Sequence, residues 1–428
     1  MKSAKTLSAA AVVVAASVAV SGCSSSGPTA SEPVSLRMTV WTSNEDQLAL
    51  FDEIADAYIA DHPEVESITF DPLDFDSYTT TLTTQLAGGN PPDMAWLLEN
   101  AAPDFVSSGA LVSLDDVLSS TEGYELDDLS ESATELWRTA DGDLAAYPFS
   151  TSPFVVFAND DLLAEAGQPT AAELQAAGDW NWETISDIGS KVSEATGKAG
   201  FVIRDFEYTQ WDYLSTVWNG WGAAPWSEDG QTCTMDSAEM VDAFTFLHDA
   251  AFEKQSMPGP GTTADFFAGD AAFTVTQISR ASLLPESGID AWELLPLPEG
   301  PNGEYSVIGQ AGVGALAQGD HPEQAAAFIA WFTNPENSAK LATYFPPARE
   351  SQLTPETLSA ANPILTEAQL ADVVIPAIAD GAVRPSHTGA AEIQQEVRSG
   401  LDGLWVEDAD IAGTLNGVCD AIGTLLEQ

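Results

Sequence analysis

Alternation of strand and helix is what most restricts this chain. Leu36, Met38 and Val40 alternate with Arg37, Thr39 and Trp41, the period of two of a half-buried strand. A helix is predicted next. Ser43 or Asn44 suits its cap, Glu45 and Asp46 its positive end, and Leu48, Phe51, Ala55, Tyr58 and Ile59 recur at helical spacing until His62-Pro63 stops it. Further strands are expected at Ile68 to Phe70 and Met94 to Leu97, with a helix from Ser77 to Leu86 between them. The pattern predicts a mainly parallel sheet with helices on both faces, and ligands of such sheets sit beyond the carboxyl ends of strands. Trp41 to Glu45 lies at one such end, and Glu99 just past another.

A length of 428 residues suggests two or three domains. Three segments read as crossings between them. Tyr147 to Phe154 breaks the helical pattern ahead of the extended Val155 to Ala158. The loop Leu295 to Gly303 leads into the Gly-rich, apolar Val307 to Ala317, and Tyr344 to Arg349 contains Pro346-Pro347. Three crossings between two α/β lobes place a cleft between the lobes, a usual seat for a ligand.

The formal charge is −53, from 13 basic and 66 acidic residues, which excludes nucleic acid as an expected partner because phosphate binding needs clustered cations. With 12 Trp, 18 Phe and 8 Tyr the chain is no disordered acidic tail. Its excess acid fits either a salty habitat or solubility. The chain begins with Lys2 and Lys5, then Ala9 to Val20, apolar apart from Ser17, then Ser21, Gly22 and Cys23. This reads as an export signal, too short for a permanent span, which needs about 20 apolar residues. Val20 to Cys23 resembles the lipobox of bacterial lipoproteins, which implies cleavage before Cys23 and diacylglycerol on its sulfur; the alternative is a plain secretory peptide with an incidental cysteine. Ser24 to Pro33 reads as a flexible tether. The other two cysteines, Cys233 and Cys419, form either one disulfide, as an oxidising exterior favours, or two buried thiols. A bridge closing so long a loop is worth roughly 4 kcal/mol on the chain-entropy model.

Phe206, Tyr208, Trp211, Tyr213, Trp218, Trp221 and Trp226 crowd one segment, with Asp205, Glu207, Gln210, Asp212 and Asn219 among them. Flat rings beside carboxylates and amides suit sugars, whose C–H faces stack while their hydroxyls seek partners. Any single ring is more often core than ligand site; the cluster as a whole points to a ligand. Glu45 and Glu99 could face each other as the carboxylate pair of a glycosidase, or merely accept hydroxyl hydrogen bonds. His62, His248, His321 and His387 lack metal spacing, and no phosphate loop or nucleophile elbow occurs, so neither metal nor cofactor is expected. His248, on a helix from Ser237 to Phe252, reads as structural. Among so few cations, Arg349 in a crossing and Arg384 are candidates to hold ligand oxygens, or else to form lobe-to-lobe ion pairs.

From Cys23 onward the chain resembles the family 1 extracellular solute-binding proteins of ABC importers, the actinobacterial sugar-uptake branch above all. The matching stretches are the lipobox, Val40-Trp41-Thr42, Gly88 to Asp93, Tyr147 to Pro153, Phe266 to Ala272, and Pro296-Leu297-Pro298 through Val307 to Gly312, which is similar to the family's hinge strand. The resemblance implies a two-lobed α/β periplasmic-binding-protein fold of type II that closes on a sugar and hands it to a membrane permease, a monomer that is not an enzyme. It implies lobes of 34–148 plus 306–345 and 149–305 plus 346–428, after a signal at 1–22 and a tether at 23–33. Trp41, Asn44, Glu45 and Glu99 match positions where relatives touch sugar, Gly309 and Gln310 the hinge, and Arg384 and His387 a late segment facing the cleft. Phe206, Trp211 and Trp221 are the rings expected to stack on the ligand, with Arg349 in the third crossing. Trp182 matches a structural helix-start tryptophan. Gly309-Gln310 departs from the usual double glycine. Other ligands compatible with such a fold are polyamines, glycerol phosphates and ferric iron; a surface glycoside hydrolase is the rival from another class.

Overall fold

A computed structural model describes residues 33–204, 208–259 and 264–427. Among the described residues nine strands form one mixed sheet: β1 (Val34–Val40), β2 (Val65–Pro72), β3 (Met94–Leu98), β4 (Tyr147–Asn159), β5 (Ala199–Ile203), β6 (Ala271–Gln277), β7 (Trp292–Leu295), β8 (Val307–Ala315) and β9 (Ala382–Val383). Their order is β2-β1-β3-β8-β4-β6-β5, with β7 on β4 and β9 on β8. The outer ladders β1–β2, β1–β3 and β5–β6 are parallel, as the alternation predicts. The central ones are not: β8 runs antiparallel to β3 and β4, and β4 antiparallel to β6 and β7. The parallel expectation fails there because β4 and β8 carry the chain between two bodies in opposite directions and pair with each other on the way.

Tyr147 to Phe154, expected as an irregular crossing, is the first half of the 13-residue β4. Its near half pairs with β8 through a register shift between Pro148 and Ser150, and its far half pairs with β6 and β7. The shift absorbs a proline that cannot donate to the ladder.

Two lobes follow from separate apolar cores. The first gathers Leu36, Met38 and Val40 of β1, Phe51, Ile54 and Tyr58 of helix α1 (Glu45–Asp61), Tyr78 and Leu82 of helix α2 (Tyr78–Ala87), and Val313 of β8. In the second, the far half of β4 sends Phe154, Val156 and Ala158 into one cluster and Val155 and Phe157 into another, the alternation of a strand covered on both faces. Gly189 of the Trp182–Thr196 helix lies so close to Gly200 of β5 that a Cβ on Gly200 would collide with its backbone. Trp182 is buried and donates from Nε1 to the Tyr305 hydroxyl at 2.8 Å, the structural role expected of it. His248 is buried against Phe252 with Nε2 2.9 Å from the Val406 carbonyl oxygen.

Cys233 and Cys419 are joined in a disulfide, their Cα atoms 5.4 Å apart. It ties the loop carrying Trp226 to the Ile411–Ile422 helix. No helix among the described residues is long and apolar enough to cross a membrane.

Candidate functional site

Three chain segments meet where β3 ends. Glu99 opens a 3-10 turn directly after Leu98, and helix α3 (Ala102–Ser107) follows. Arg384 comes directly after β9, fixed by its amide donating to the Ile308 carbonyl. Asp212 lies in the 3-10 stretch Tyr208–Leu214 of the second lobe. The guanidinium of Arg384 donates from Nε to Glu99 Oε1 at 2.6 Å, also contacts Glu99 through Nη2, and donates from Nη1 to Asp212 Oδ2 at 2.7 Å. It lies 4.3 Å from the centroid of the Tyr213 ring. Arg384, Glu99 and Asp212 are 3%, 1% and 1% exposed, so one cation serves two carboxylates out of reach of water. Burial pushes the Glu99 carboxyl above its ordinary range against the pull of Arg384. Burial would lower Arg384, but Asp212 and Glu99 outweigh it and raise it. Among the described residues Asp212 Oδ1 has no hydrogen-bond partner.

A cavity of about 860 Å³ opens beside this network. Phe75, Thr79, Thr80 and Thr83 with Asn100, Asp104 and Phe105 form its first-lobe wall, and Gln210 with Gln394 and Arg398 of the Ala390–Leu401 helix forms the opposite one. Asp104 also crosses the gap: its Oδ1 accepts from the Gly389 amide at 2.8 Å and its Oδ2 from Ala390 at 3.2 Å, capping a helix whose own cap residue offers no side chain. Arg204 lies 5.0 Å from the Phe75 ring centroid and donates to Gln277 Oε1 at 2.9 Å and to the Tyr213 hydroxyl. Its φ of 38° is in the left-handed region, rare for a residue with a side chain.

Of the residues singled out in the sequence, Glu99, Gly309 and Arg384 come together. A Cβ on Gly309 would displace the end of the Gln277 side chain and come into ordinary contact with Glu99 Oε1. His387 and Trp211 line a small void with Asp212, Trp226, Asn100 and Gln394, the His387 Nε2 3.0 Å from the Gly230 carbonyl oxygen. Trp41 is half-buried with its ring 4.7 Å from Trp96 and 5.2 Å from Tyr78. Asn44 is exposed and accepts from the Gln47 amide as the cap of α1, and Glu45 is exposed in that helix's first turn. Among the described residues no hydrogen bond or ion pair joins Glu45 to Glu99, whose charge is spent on Arg384.

Several expectations are corrected. Arg349 is fully buried in the first lobe's fabric, donating to the carbonyls of Glu125 and Thr333 at 3.1 Å, with Asp128 at 3.7 Å and the Tyr124 ring beneath it. It holds protein oxygens, because the third crossing tucks under that lobe instead of lining the cleft. The Gln310 amide is buried and spent, accepting from Trp137 Nε1 and donating to the Ser132 carbonyl, both at 3.3 Å. The aromatic cluster is mostly core: Trp211, Tyr213 and Trp218 are buried in the second lobe, and Trp221 packs on Phe246 with a centroid distance of 5.0 Å. Trp211 and Tyr213 of the Tyr208–Leu214 stretch and Trp218 of the short Ser215–Trp218 helix all pack into the second lobe's core. Phe206 and Cys23 lie outside the described residues. Sequence reasoning missed Asp104 and Arg204, which show no local pattern, and the Ala390–Leu401 helix, although its buried Ile393, Val397 and Leu401 recur four apart; Asp212 was named only as one of several polar groups among the rings.

The model of the bacterial extracellular solute-binding proteins matches residues 53–367, most of the chain. The chain belongs to that family. This solute-binding protein is 25% identical over 335 residues to an uncharacterized lipoprotein of Streptomyces antibioticus encoded in the oleD 5′ region, covering 75% of the chain and 71% of the relative. Its fold matches an ABC substrate-binding protein from Listeria monocytogenes solved with cycloalternan, with a TM-score of 0.78, 20% identity, and 92% and 99% of the two chains covered. It also matches UgpB of Mycobacterium tuberculosis in complex with glycerophosphocholine, with a TM-score of 0.76, 20% identity, and 93% and 99% covered.

Proposed function

We propose that this solute-binding protein takes a sugar or oligosaccharide between its lobes and delivers it to the permease of an ABC importer, held at the outer face of the cell membrane by a lipidated Cys23. The lobes are 34–148 plus 306–345 and 149–305 plus 346–428, and the protein acts as a monomer without cofactor. What carries the reading is the cavity of about 860 Å³ between the lobes, walled by threonine hydroxyls, side-chain amides and Phe75 and Phe105. Hydroxyl and amide groups pair with sugar hydroxyls while ring faces take the C–H surface. Closure is favoured only to the extent that the solute binds the closed form better than the open one. The Listeria structure with an oligosaccharide supports the reading.

A non-sugar solute is the second reading, favoured by the glycerophosphocholine complex. An anionic glycerol phosphate suits this cleft poorly, since Arg349 and Arg384 are both committed to protein oxygens. That commitment gives both arginines a role whatever the solute, so their presence does not count against a polyamine.

The test is a thermal-shift and calorimetric screen of the soluble protein cut after Cys23, against mono- and oligosaccharides, polyamines and glycerol phosphates. Native-state binding at a hundredfold excess over Kd adds about 2.7 kcal/mol. A stabilising saccharide recovered unaltered upholds the proposal. Stabilisation by a polyamine or glycerophosphodiester alone overturns the ligand, and a consumed saccharide makes the protein an enzyme.

A further inference from the structure

The Ala390–Leu401 helix begins without a cap of its own. Gly389 stands at its N-cap with a φ of 76° and has no side chain to offer, so the amides of Gly389 and Ala390 are satisfied from the other lobe, by the two oxygens of Asp104 at 2.8 and 3.2 Å. Both sides of this contact are anchored. Asp104 lies in the first turn of α3, which is fixed in the first lobe's core by Ala102 and Phe105, and the capped helix is fixed in the second lobe's core by Ile393, Val397 and Leu401. The carboxylate therefore meets the two amides only while the lobes are together, and separating the lobes breaks both hydrogen bonds at once. The contact is made by protein groups alone and stands at the wall of the large cavity, which Asp104 and Ala390 both line.

We propose that Asp104 is the positioning residue that holds the lobes closed, and that it sets the affinity of the cleft for every solute by the same factor. This rests on the solute-binding reading above and deepens it. A carboxylate at a helix N-terminus gains from the partial positive charge there as well as from the two amides, and in the open form water has to take its place. A solute that binds only the closed form is weakened in proportion to the closed fraction, so a contact that raises this fraction tightens binding without touching the solute. Glu99 also reaches across, to Arg384, but it lies against Gly309 of β8, a strand that joins the lobes, in a site almost closed to water. Asp104 is half-buried at the cavity wall, where it parts from its amides when the lobes separate.

Calorimetry of wild type, D104A and D104N with maltose, maltotriose and cellotriose, and X-ray scattering of the same proteins with and without each saccharide, test this. D104A is expected to weaken every saccharide that binds by one common factor of about three to five, the loss of a helix cap converted to affinity. Its radius of gyration should exceed that of wild type without saccharide and equal it at saturation. D104N, which keeps one acceptor oxygen, falls between. A factor that differs more than about twofold between saccharides makes Asp104 a solute contact and overturns the proposal, as does an unchanged Kd or an unchanged radius. Where fewer than two of these saccharides bind, the radius without saccharide decides the proposal by itself, larger in D104A upholding it and equal overturning it, whatever becomes of the sugar reading.

Discussion

Replacing Arg384 by alanine should be among the most damaging single changes in the chain. The side chain makes contacts to Glu99 and Asp212 in a site where all three residues are almost completely buried. Deleting it leaves two carboxylates near each other with no counter-charge, the situation in which loss of one partner of a buried ion pair costs about 3–5 kcal/mol. Native stabilities of about 5–15 kcal/mol make that a large fraction of the total. The protein's only escape is protonation, and Glu99 is the group poised for it, its carboxyl already raised above the ordinary 4.5 by burial. An acid with a raised native pKa favours the folded state most at low pH and loses that contribution as pH rises through the folded value. The R384A deficit should therefore shrink as pH falls toward 4.5. Urea unfolding of wild type, R384A and R384A/E99Q across that range reads it, provided the m-value is unchanged. E99Q in the R384A background should restore much of the loss at neutral pH by removing one charge. A deficit below about 1 kcal/mol at pH 7, or one that does not change with pH, would refute the account of a buried charge triad.

Three further outcomes are expected. Asp160, whose carboxyl is pushed up to about 6 by burial and by neighbouring Glu293, contributes stability at low pH that is lost as pH rises from about 4 to about 6; D160N should gain on wild type over that window and run level above it, whereas a constant difference in urea midpoint contradicts the shift. C233S/C419S removes a cross-link between positions 186 apart and should cost about 2–5 kcal/mol, read as a lower thermal midpoint that reductant does not lower further. D104A strips the amides of Gly389 and Ala390 of their acceptor across the cleft and should cost about 1 kcal/mol, with a larger radius of gyration in X-ray scattering; an unchanged radius removes Asp104 as a fastening between lobes.

What the sequence determined is local. Period-two and helical spacing located β1, α1, α2 and β3, because their apolar faces are written in consecutive residues. The disulfide was legible as the preferred pairing because an exported chain with two further cysteines has one partner to offer each. The positions just past strand ends, Glu99 among them, were legible because a sheet's carboxyl edge gathers them whatever the loops do. Tertiary structure decided the rest, and the physical reason is sequence distance. Asp104 meets Gly389 and Ala390 only because two lobes face each other, and no spacing rule joins residues so far apart. Arg349 and Arg384 look alike in the sequence, both scarce cations near prolines, yet one is locked onto backbone carbonyls of a single lobe and the other onto carboxylates from two. The aromatic cluster invited a ligand because composition records which rings are present, but only packing fixes which way each one faces. A charge or a ring acquires its role from what the fold places opposite it.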